Sequence, residues 1–309
     1  MLGIVGTVPS ETFPLTTGEI TLVGDQIRIN DAFVAVSRGT PALMAAAAAV
    51  SEILGQPPPV AYLIGDIGLG KGSRHLYKFL TEYLPHSPLQ TLTFHYLQPI
   101  IHWHERLQNS IKTITPKPCL IADAGFMYVA KMSGQSSLYD LFTPDIGELA
   151  FLADEEAPHP FYTRGFILHD ENRVSELIAR AYEHNNAARF LLVKGKKDYL
   201  ASRDGILEMI DRPAEEALEA MGGTGDTLTG IVSALIDSGI MIEEASVMAM
   251  TINRLAGHFA NPSPASQVMD IVRHIPRALT DVMKRKDTAV VQKCQKTTSR
   301  FTPIRRSSK

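Results

Sequence analysis

From about residue 60 the chain alternates short apolar runs with helix-length stretches: VAYLI (60–64), TLTFHYL (91–97), CLIAD (119–123), LYDLF (138–142) and FLLVKG (190–195). Strands that alternate with helices pair in parallel, because each return crossover consumes a helix, and the helices then cover both faces of the sheet. The expected fold is therefore α/β, a three-layer αβα sandwich with a mainly parallel central sheet. Ligands in such sheets bind at the carboxyl ends of the strands. FVAV (33–36) reads as the first core strand, with residues 1–30 as an extension. Pro41 to Leu54 reads as a helix opened by Thr40 as N-cap with Pro41 at its first position, so the turn SRGTPA also faces the ligand end. Runs at Tyr199-Leu200 and Ile206 to Ile210 suggest a β-hairpin, followed by helices at about 226–238, 243–259 and 265–283. PHPFYTRG (158–165) reads as a long loop. One catalytic-size domain over 31–283 and a tail over 284–309 are expected.

The 309 residues, 45% of them hydrophobic, suffice for a single large core. Two cysteines, Cys119 and Cys294, give neither a disulfide framework nor a zinc spacing, which suits a reducing compartment, with the cytoplasm as the default. The N-terminus lacks a basic, then apolar, leader, and the alanine-rich run from Ala45 to Val50 is far shorter than a membrane span. No membrane partner is expected. Residues 284–309 hold nine Lys/Arg and one Asp, leaving 21 basic and 32 acidic residues in the body. A basic tail could touch nucleic acid or anionic lipid, but it reads first as a solvated, disordered end, and nucleic acid is not the expected partner.

The segment EAMGGTGDTLTGIVSALIDSG sets glycines directly before an apolar-periodic helix. Backbone N–H groups and the positive end of the helix dipole then converge on one point, an anion site formed by Gly223, Thr224 and Gly225. Asp226 lies in the first turn. A carboxylate beside a phosphate site repels the anion, so its economical role is a general base that takes a proton from a substrate hydroxyl. An Asp in such a place also serves as a helix cap, with no chemistry attached.

GGTGDTLTGIVSAL resembles the Gly-x-Gly-Asp signature of ribokinase-like kinases, and in its GTGD-x-L-x-G form that of ADP- or ATP-dependent NAD(P)H-hydrate dehydratases. Further segments agree in order over roughly residues 33–280. GDIGLGKGS (65–73) is similar to that family's Gly-Pro-Gly-Leu-Gly turn, IADAGFMYVA (121–130) to its Asp-Ala strand end, and TPDIGELAFL (143–152) to its Thr-Pro-His-Pro-Gly-Glu segment. LLVKG (191–195) resembles its Lys-Gly nucleotide strand and INRLAGHFA (252–260) its closing helix. The resemblance implies a ribokinase-like fold and a repair reaction, in which a nucleotide's terminal phosphoryl group moves to the hydroxyl of hydrated NAD(P)H and elimination restores the dihydropyridine. It implies Asp226 as base; Lys194, Gly195, Lys196, Lys197, Asp198 and Gly225 around ADP or ATP; and Ala42, Gly68 and Asp145 on the substrate side. Glu148 and Asp123 are implied as residues linked to Mg2+ without ligating it directly. The family's companion epimerase domain is not expected ahead of this segment, and self-association is left open.

The chain departs from that pattern at Asp145-Ile146, where the family has His-Pro, at Asp198, where it has a small hydroxyl residue, and at Asn253, where it has His. The spacing Asp145-x-x-Glu148 is similar to the Asn-x-x-Glu of sugar and vitamin kinases, so a kinase acting on a small alcohol is the second reading. A degenerate nucleotide-binding regulator is the third. GDIGLGKG also nearly spells a P-loop, but Gly72 stands where the magnesium-ligating hydroxyl belongs and Ser73 comes one residue late. His95, His102 and His104 near Trp103 could suggest metal, yet no placed carboxylate accompanies them, and structural histidines are the plainer reading. Met241, Met248 and Met250 fit core packing. Asp66 and Asp123, each at a strand's carboxyl end, are either ligand contacts or turn stabilisers.

Overall fold

The computed structural model describes residues 1–158, 173–263 and 265–298, with side chains described through 286 except at 219 and 220. The chain begins with β1 (Leu2–Val8), a meander β2 (Thr16–Val23), β3 (Gln26–Ile29) and β4 (Ala32–Ala35), then α1 (Thr40–Ile53). It continues with β5 (Val60–Gly65), α2 (Lys71–Tyr83), β6 (Thr91–Phe94), α3 (Ile101–Ile111), β7 (Cys119–Ala122), α4 (Gly125–Met132), β8 (Leu141–Phe142) and α5 (Ile146–Ala153). After α6 (Val174–Glu183) come β9 (Phe190–Val193), β10 (Asp198–Ser202), β11 (Gly205–Ile210), α7 (Thr224–Asp237), α8 (Ile242–Ala260), α9 (Val268–Val272) and α10 (Ile275–Thr298).

All these strands join one sheet in the order β11-β10-β9-β8-β7-β6-β1-β5-β2-β3-β4. Its centre, β9 through β5, is parallel, and the meander and the β10–β11 hairpin close the two edges antiparallel. The first core strand is thus β1 rather than FVAV, which is the outermost edge strand. LGIVGTV carries Ile4 and Val5 to opposite sheet faces, and such double-sided burial is what a central parallel strand needs. Residues 1–30 are therefore sheet, not an appendage.

Side-chain alternation along the strands separates two cores. One packs α1 and α7–α10 against Ile4, Leu63, Ile121, Leu141 and Leu192; the other packs α2–α6 against Val5, Ile64, Phe94, Ala122 and Val193. The first needs unusually close helix contact. A Cβ on Gly230 of α7 would lie 2.2 Å from the Leu43 carbonyl oxygen of α1, which explains both that glycine and the run of alanines facing it.

Helix ends differ from expectation in three places. Gly39, with φ 67°, is the N-cap of α1, and Thr40 turns inward instead of capping. The helix expected at 265–283 is two, α9 and α10, and α10 runs on to Thr298 where composition predicts a disordered end. The expected loop at 158–165 falls, after Pro158, outside the described residues. No helix among the described residues is long and apolar enough to cross a membrane.

Candidate active site

The alternation that builds the first core also builds the site. Thr93, Ile121, Leu141 and Leu192 face α7, and two residues further on, at the carboxyl ends of four neighbouring strands, stand His95, Asp123, Thr143 and Lys194. A period of two places all four on the same side, beneath the N-terminus of α7.

That N-terminus is the GGTGD loop. Gly223 is the N-cap with φ 100°, a left-handed conformation, and a Cβ there would press within 3.1 Å of the Arg38 Cα and 3.0 Å of Val268. Gly223 has no side chain to cap the helix, so the N–H groups of Thr224, Gly225 and Asp226 are left without a side-chain cap. Gly225 keeps the space over Lys194 open, since its Cβ would lie 3.3 Å from that side chain. Asn253 steadies the turn, accepting from the Thr227 hydroxyl at 2.7 Å and donating to the Thr224 carbonyl at 3.1 Å.

Asp226 is not the cap. Its Oδ1 lies 3.0 Å from His95 Nε2 and its Oδ2 accepts the Gly39 N–H at 2.6 Å. Burial alone would raise its pKa, but His95, Lys194 and the Gly39 amide outweigh burial and hold it below the ordinary carboxylate value. His95 is fully buried, and its Nδ1 lies 2.9 Å from the Thr40 hydroxyl.

Asp123 forms the second half of the cluster. Its Oδ1 accepts Lys194 Nζ at 2.8 Å and the Ala124 N–H at 2.8 Å; its Oδ2 accepts Lys194 at 3.0 Å and the Thr229 hydroxyl of α7 at 2.6 Å. Ala124 takes φ 49°, outside the usual range for a residue with a Cβ, at the turn that carries this carboxylate. Burial would lower the Lys194 pKa, yet Asp123 and Glu148 raise it overall, so the ammonium stays charged. One oxygen or nitrogen each of His95, Asp123 and Asp226 lies within 4.8 Å of the others, close enough for a metal. The donors already bound to both Asp123 oxygens close the cluster with hydrogen bonds instead.

The other expected residues fall in three groups. Asp145 and Glu148 form a capping box on α5: Asp145 Oδ1 accepts the Glu148 N–H at 2.7 Å and Glu148 Oε2 accepts the Asp145 N–H at 2.8 Å. Glu148 still feels the cluster, for burial and then Asp123 and Asp145 raise its pKa against the opposing pull of Lys194. Lys196 and Lys197 line a cavity of about 380 Å3 whose apolar walls are Ile146, Val174, Tyr199 and Ile206. The third group is engaged within the protein. Asp198 pairs with Arg254 at 2.7 Å and accepts the Gly195 N–H at 3.2 Å, so it shapes the Lys-Gly turn from within. Ala42 is fully buried in the core, and the Gly68 N–H is spent on Asp66.

The loop GDIGLGKGS has the shape of an anion nest, but its own side chain fills it. Asp66 accepts the N–H groups of Gly68 and Gly70 at 3.0 Å each and of Ser73 at 2.8 Å, plus the Ser73 hydroxyl at 2.7 Å. Gly72 cannot be the P-loop Ser or Thr, because a Cβ would stand 2.0 Å from the Gly65 carbonyl oxygen. Asp66 is therefore a turn stabiliser, and Lys71 is an exposed cation at the start of α2.

Reading TLTFHYL simply as a strand missed two site residues. His95 was available from its alternation with Thr93, and the half-exposed Tyr96 stands beside it, with ring centroids 4.2 Å apart. Burial first, then Asp226, Glu148 and Asp123, push the Tyr96 phenol up to about 12, which keeps it a hydrogen-bond donor. His104 is the structural histidine expected, bonded to the Tyr139 hydroxyl at 2.8 Å, and His102 lies exposed on α3.

A parallel sheet between helical layers, with a Gly-x-Gly-Asp helix start over the strand ends, defines a protein of the ribokinase-like class. Solved structures agree in fold: the ADP/ATP-dependent NAD(P)H-hydrate dehydratase of Bacillus subtilis, co-crystallised with ATP/Mg2+, matches with TM-score 0.52 at 13% identity over 91% of this chain and 89% of that one. Phosphofructokinase-2 of Escherichia coli, in complex with fructose-6-phosphate, matches with TM-score 0.52 at 12% identity over 91% of this chain and 100% of that one. More narrowly, the chain belongs to the NAD(P)H-hydrate dehydratase family, whose model matches residues 101–277. An uncharacterised protein of Methanocaldococcus jannaschii is 42% identical over 221 residues, 71% of this chain and 90% of that protein. A bifunctional NAD(P)H-hydrate repair enzyme of Pyrobaculum aerophilum is 23% identical over 177 residues, 57% of this chain but 32% of the relative's length.

Proposed function

We propose that the protein catalyses nucleotide-dependent repair of hydrated NAD(P)H, with Asp226 as the base. The observation that carries the reading is the ionised Asp226 carboxylate, aimed inward from a helix start whose amides remain available to a phosphate. A substrate hydroxyl at Asp226 would give up its proton as its oxygen attacks the terminal phosphorus of ADP or ATP, while the amides of Thr224 and Gly225 stabilise charge on the moving phosphoryl group. Phosphate then departs from the substrate with the C–O electron pair, a proton leaves the neighbouring carbon, and the ring double bond is restored.

The charge balance supports a magnesium nucleotide. Asp226 is held below the ordinary carboxylate value and Lys194 is already paired with Asp123, so bare phosphates would meet an uncompensated carboxylate. Glu148, turned toward the Asp123–Lys194 pair, would hold the water shell of Mg2+, which would neutralise charge on the phosphates. Lys194 would approach the phosphates beneath Gly225, and the cavity beside Lys196 and Lys197 would take the nucleotide base.

Asp145 favours one further reading. It stands where the family's usual His would be and ties itself to Glu148, an acidic pair suited to a plain kinase acting on a small alcohol. The two reactions differ in product: the kinase releases a stable phosphate ester, the dehydratase inorganic phosphate and a dihydronicotinamide. The test is to incubate the protein with hydrated NADH, magnesium and ADP or ATP and follow dihydronicotinamide absorbance, beside Asp226→Asn. Recovery in the wild type alone supports repair; no recovery, with ester formed from sugar or vitamin-precursor alcohols, supports the kinase. A protein that binds nucleotide but turns over neither substrate would be a regulator.

A further inference from the structure

We propose that His95 is the positioning residue of the Asp226 carboxylate, bridging it to Thr40 so that one carboxylate oxygen is held in place. The proposal rests on Asp226 being the reactive group.

The geometry sets the donor roles. An ionised carboxylate can only accept, so His95 Nε2–H donates to Asp226 Oδ1 across 3.0 Å, and the opposite ring nitrogen, Nδ1, lies 2.9 Å from the Thr40 hydroxyl. Gly39 N–H donates to Oδ2. Both oxygens are thus oriented by donors that reach Asp226 from elements far apart in sequence, and each keeps a second lone-pair direction for a substrate hydroxyl.

The surroundings explain why such a donor is needed. Facing Asp226 are His95 from the end of β6, Asp123 from the end of β7, Lys194 from the end of β9, Glu148 from α5 and the Tyr96 phenol, with Arg38 exposed beside Gly222 and Gly223. Burial favours a protonated Asp226, and bound phosphates would do so further. Lys194 is already committed to Asp123 at 2.8 Å. Among the described residues His95 is the donor directed at Oδ1, and both it and Thr40 are fully buried.

A separate observation shows that the fold is built around this bridge. Gly6, in the central strand β1, has no side chain where a Cβ would come 2.4 Å from the Thr40 hydroxyl oxygen. The missing side chain leaves room on the sheet face for Thr40.

The test needs no substrate. Carbon-13 NMR of labelled Asp carboxyls, with Asp226→Asn assigning the signal, follows Asp226 through a pH titration in the wild type, His95→Leu and His95→Gln. His95→Leu should raise the Asp226 pKa by about one pH unit or more, and His95→Gln, which restores a neutral N–H donor, should return part of it. Where turnover is measurable, the acid limb of kcat/KM should move upward by the same amount with nucleotide affinity unchanged. Thr40→Val, which frees the ring at Nδ1, should give a smaller rise and serves if His95→Leu does not fold. A folded variant whose Asp226 titrates as in the wild type overturns the proposal. A wild type that turns over neither hydrate nor alcohol sinks the role of Asp226 as base while leaving this titration interpretable.

Discussion

Two glycine-rich loops in this molecule follow a strand or hairpin, precede a helix and contain an aspartate, and they do opposite things with it. In GDIGLGKGS, Asp66 folds back into the nest and takes the amides of Gly68, Gly70 and Ser73 for itself. In GGTGD, Asp226 sits three residues into the helix and reaches down to His95 and Gly39, and the amides that start the helix have no side-chain cap, which on the proposed reading serves an external anion. Position decides the difference. An aspartate ahead of the turn is an internal anion, whereas one inside the first helical turn has its side chain displaced from the hole and turned toward the strand ends.

The largest expected effect comes from removing the second aspartate. Asp226→Asn should lower turnover by about a hundred- to ten-thousand-fold while nucleotide affinity, measured by calorimetry, stays near wild type. Equal loss of binding would mean that the carboxylate builds the hole and is not the base. Next, Gly72→Ser makes the first loop spell a fuller P-loop, and the account expects damage rather than a gain. The clash with the Gly65 carbonyl should cost about 3 kcal/mol or more in chemical denaturation and confer no new nucleotide site.

The loops also differ in how far the sequence revealed them. The glycine-led helix start with Asp226 in its first turn was legible because glycines directly precede an apolar-periodic run, and the alternation of runs predicts the parallel sheet. The occupancy of the first loop was not, since a self-filled nest and an open one share a composition and differ only in where a side chain turns. His95 was readable in principle from its two-residue offset to Thr93, but its value depends on Asp226 lying 131 residues away. The central place of β1 was missed because LGIVGTV stands before the alternating pattern begins, and nothing local reveals that a first strand inserts between two later ones. The ion pair of Asp198 was not legible for a related reason, since its partner Arg254 arrives from α8.

A smaller effect should follow from Asp66→Ala, which leaves three loop amides to water. It should cost about 1–2 kcal/mol of stability and change turnover little, reversing the pattern of Asp226→Asn. The pH dependence sharpens the same contrast. Burial would raise the Asp66 pKa, but its Ser73, Gly70 and Gly68 donors hold it below the ordinary value, so its contribution is present above the unfolded pKa of 3.8 and is lost as pH falls through the lower folded value. Acid titration of Asp66→Asn should therefore lose part of the wild type's drop in stability over that window, the smallest of these effects.

The claim that one nest is filled and the other open is tested most directly by backbone amide NMR during titration with magnesium ADP and magnesium ATP. The account predicts that Thr224, Gly225 and Asp226 shift with saturation while Gly68, Gly70 and Ser73 stay in place. Shifts at Gly68, Gly70 and Ser73, with the GGTGD amides unmoved, would contradict it.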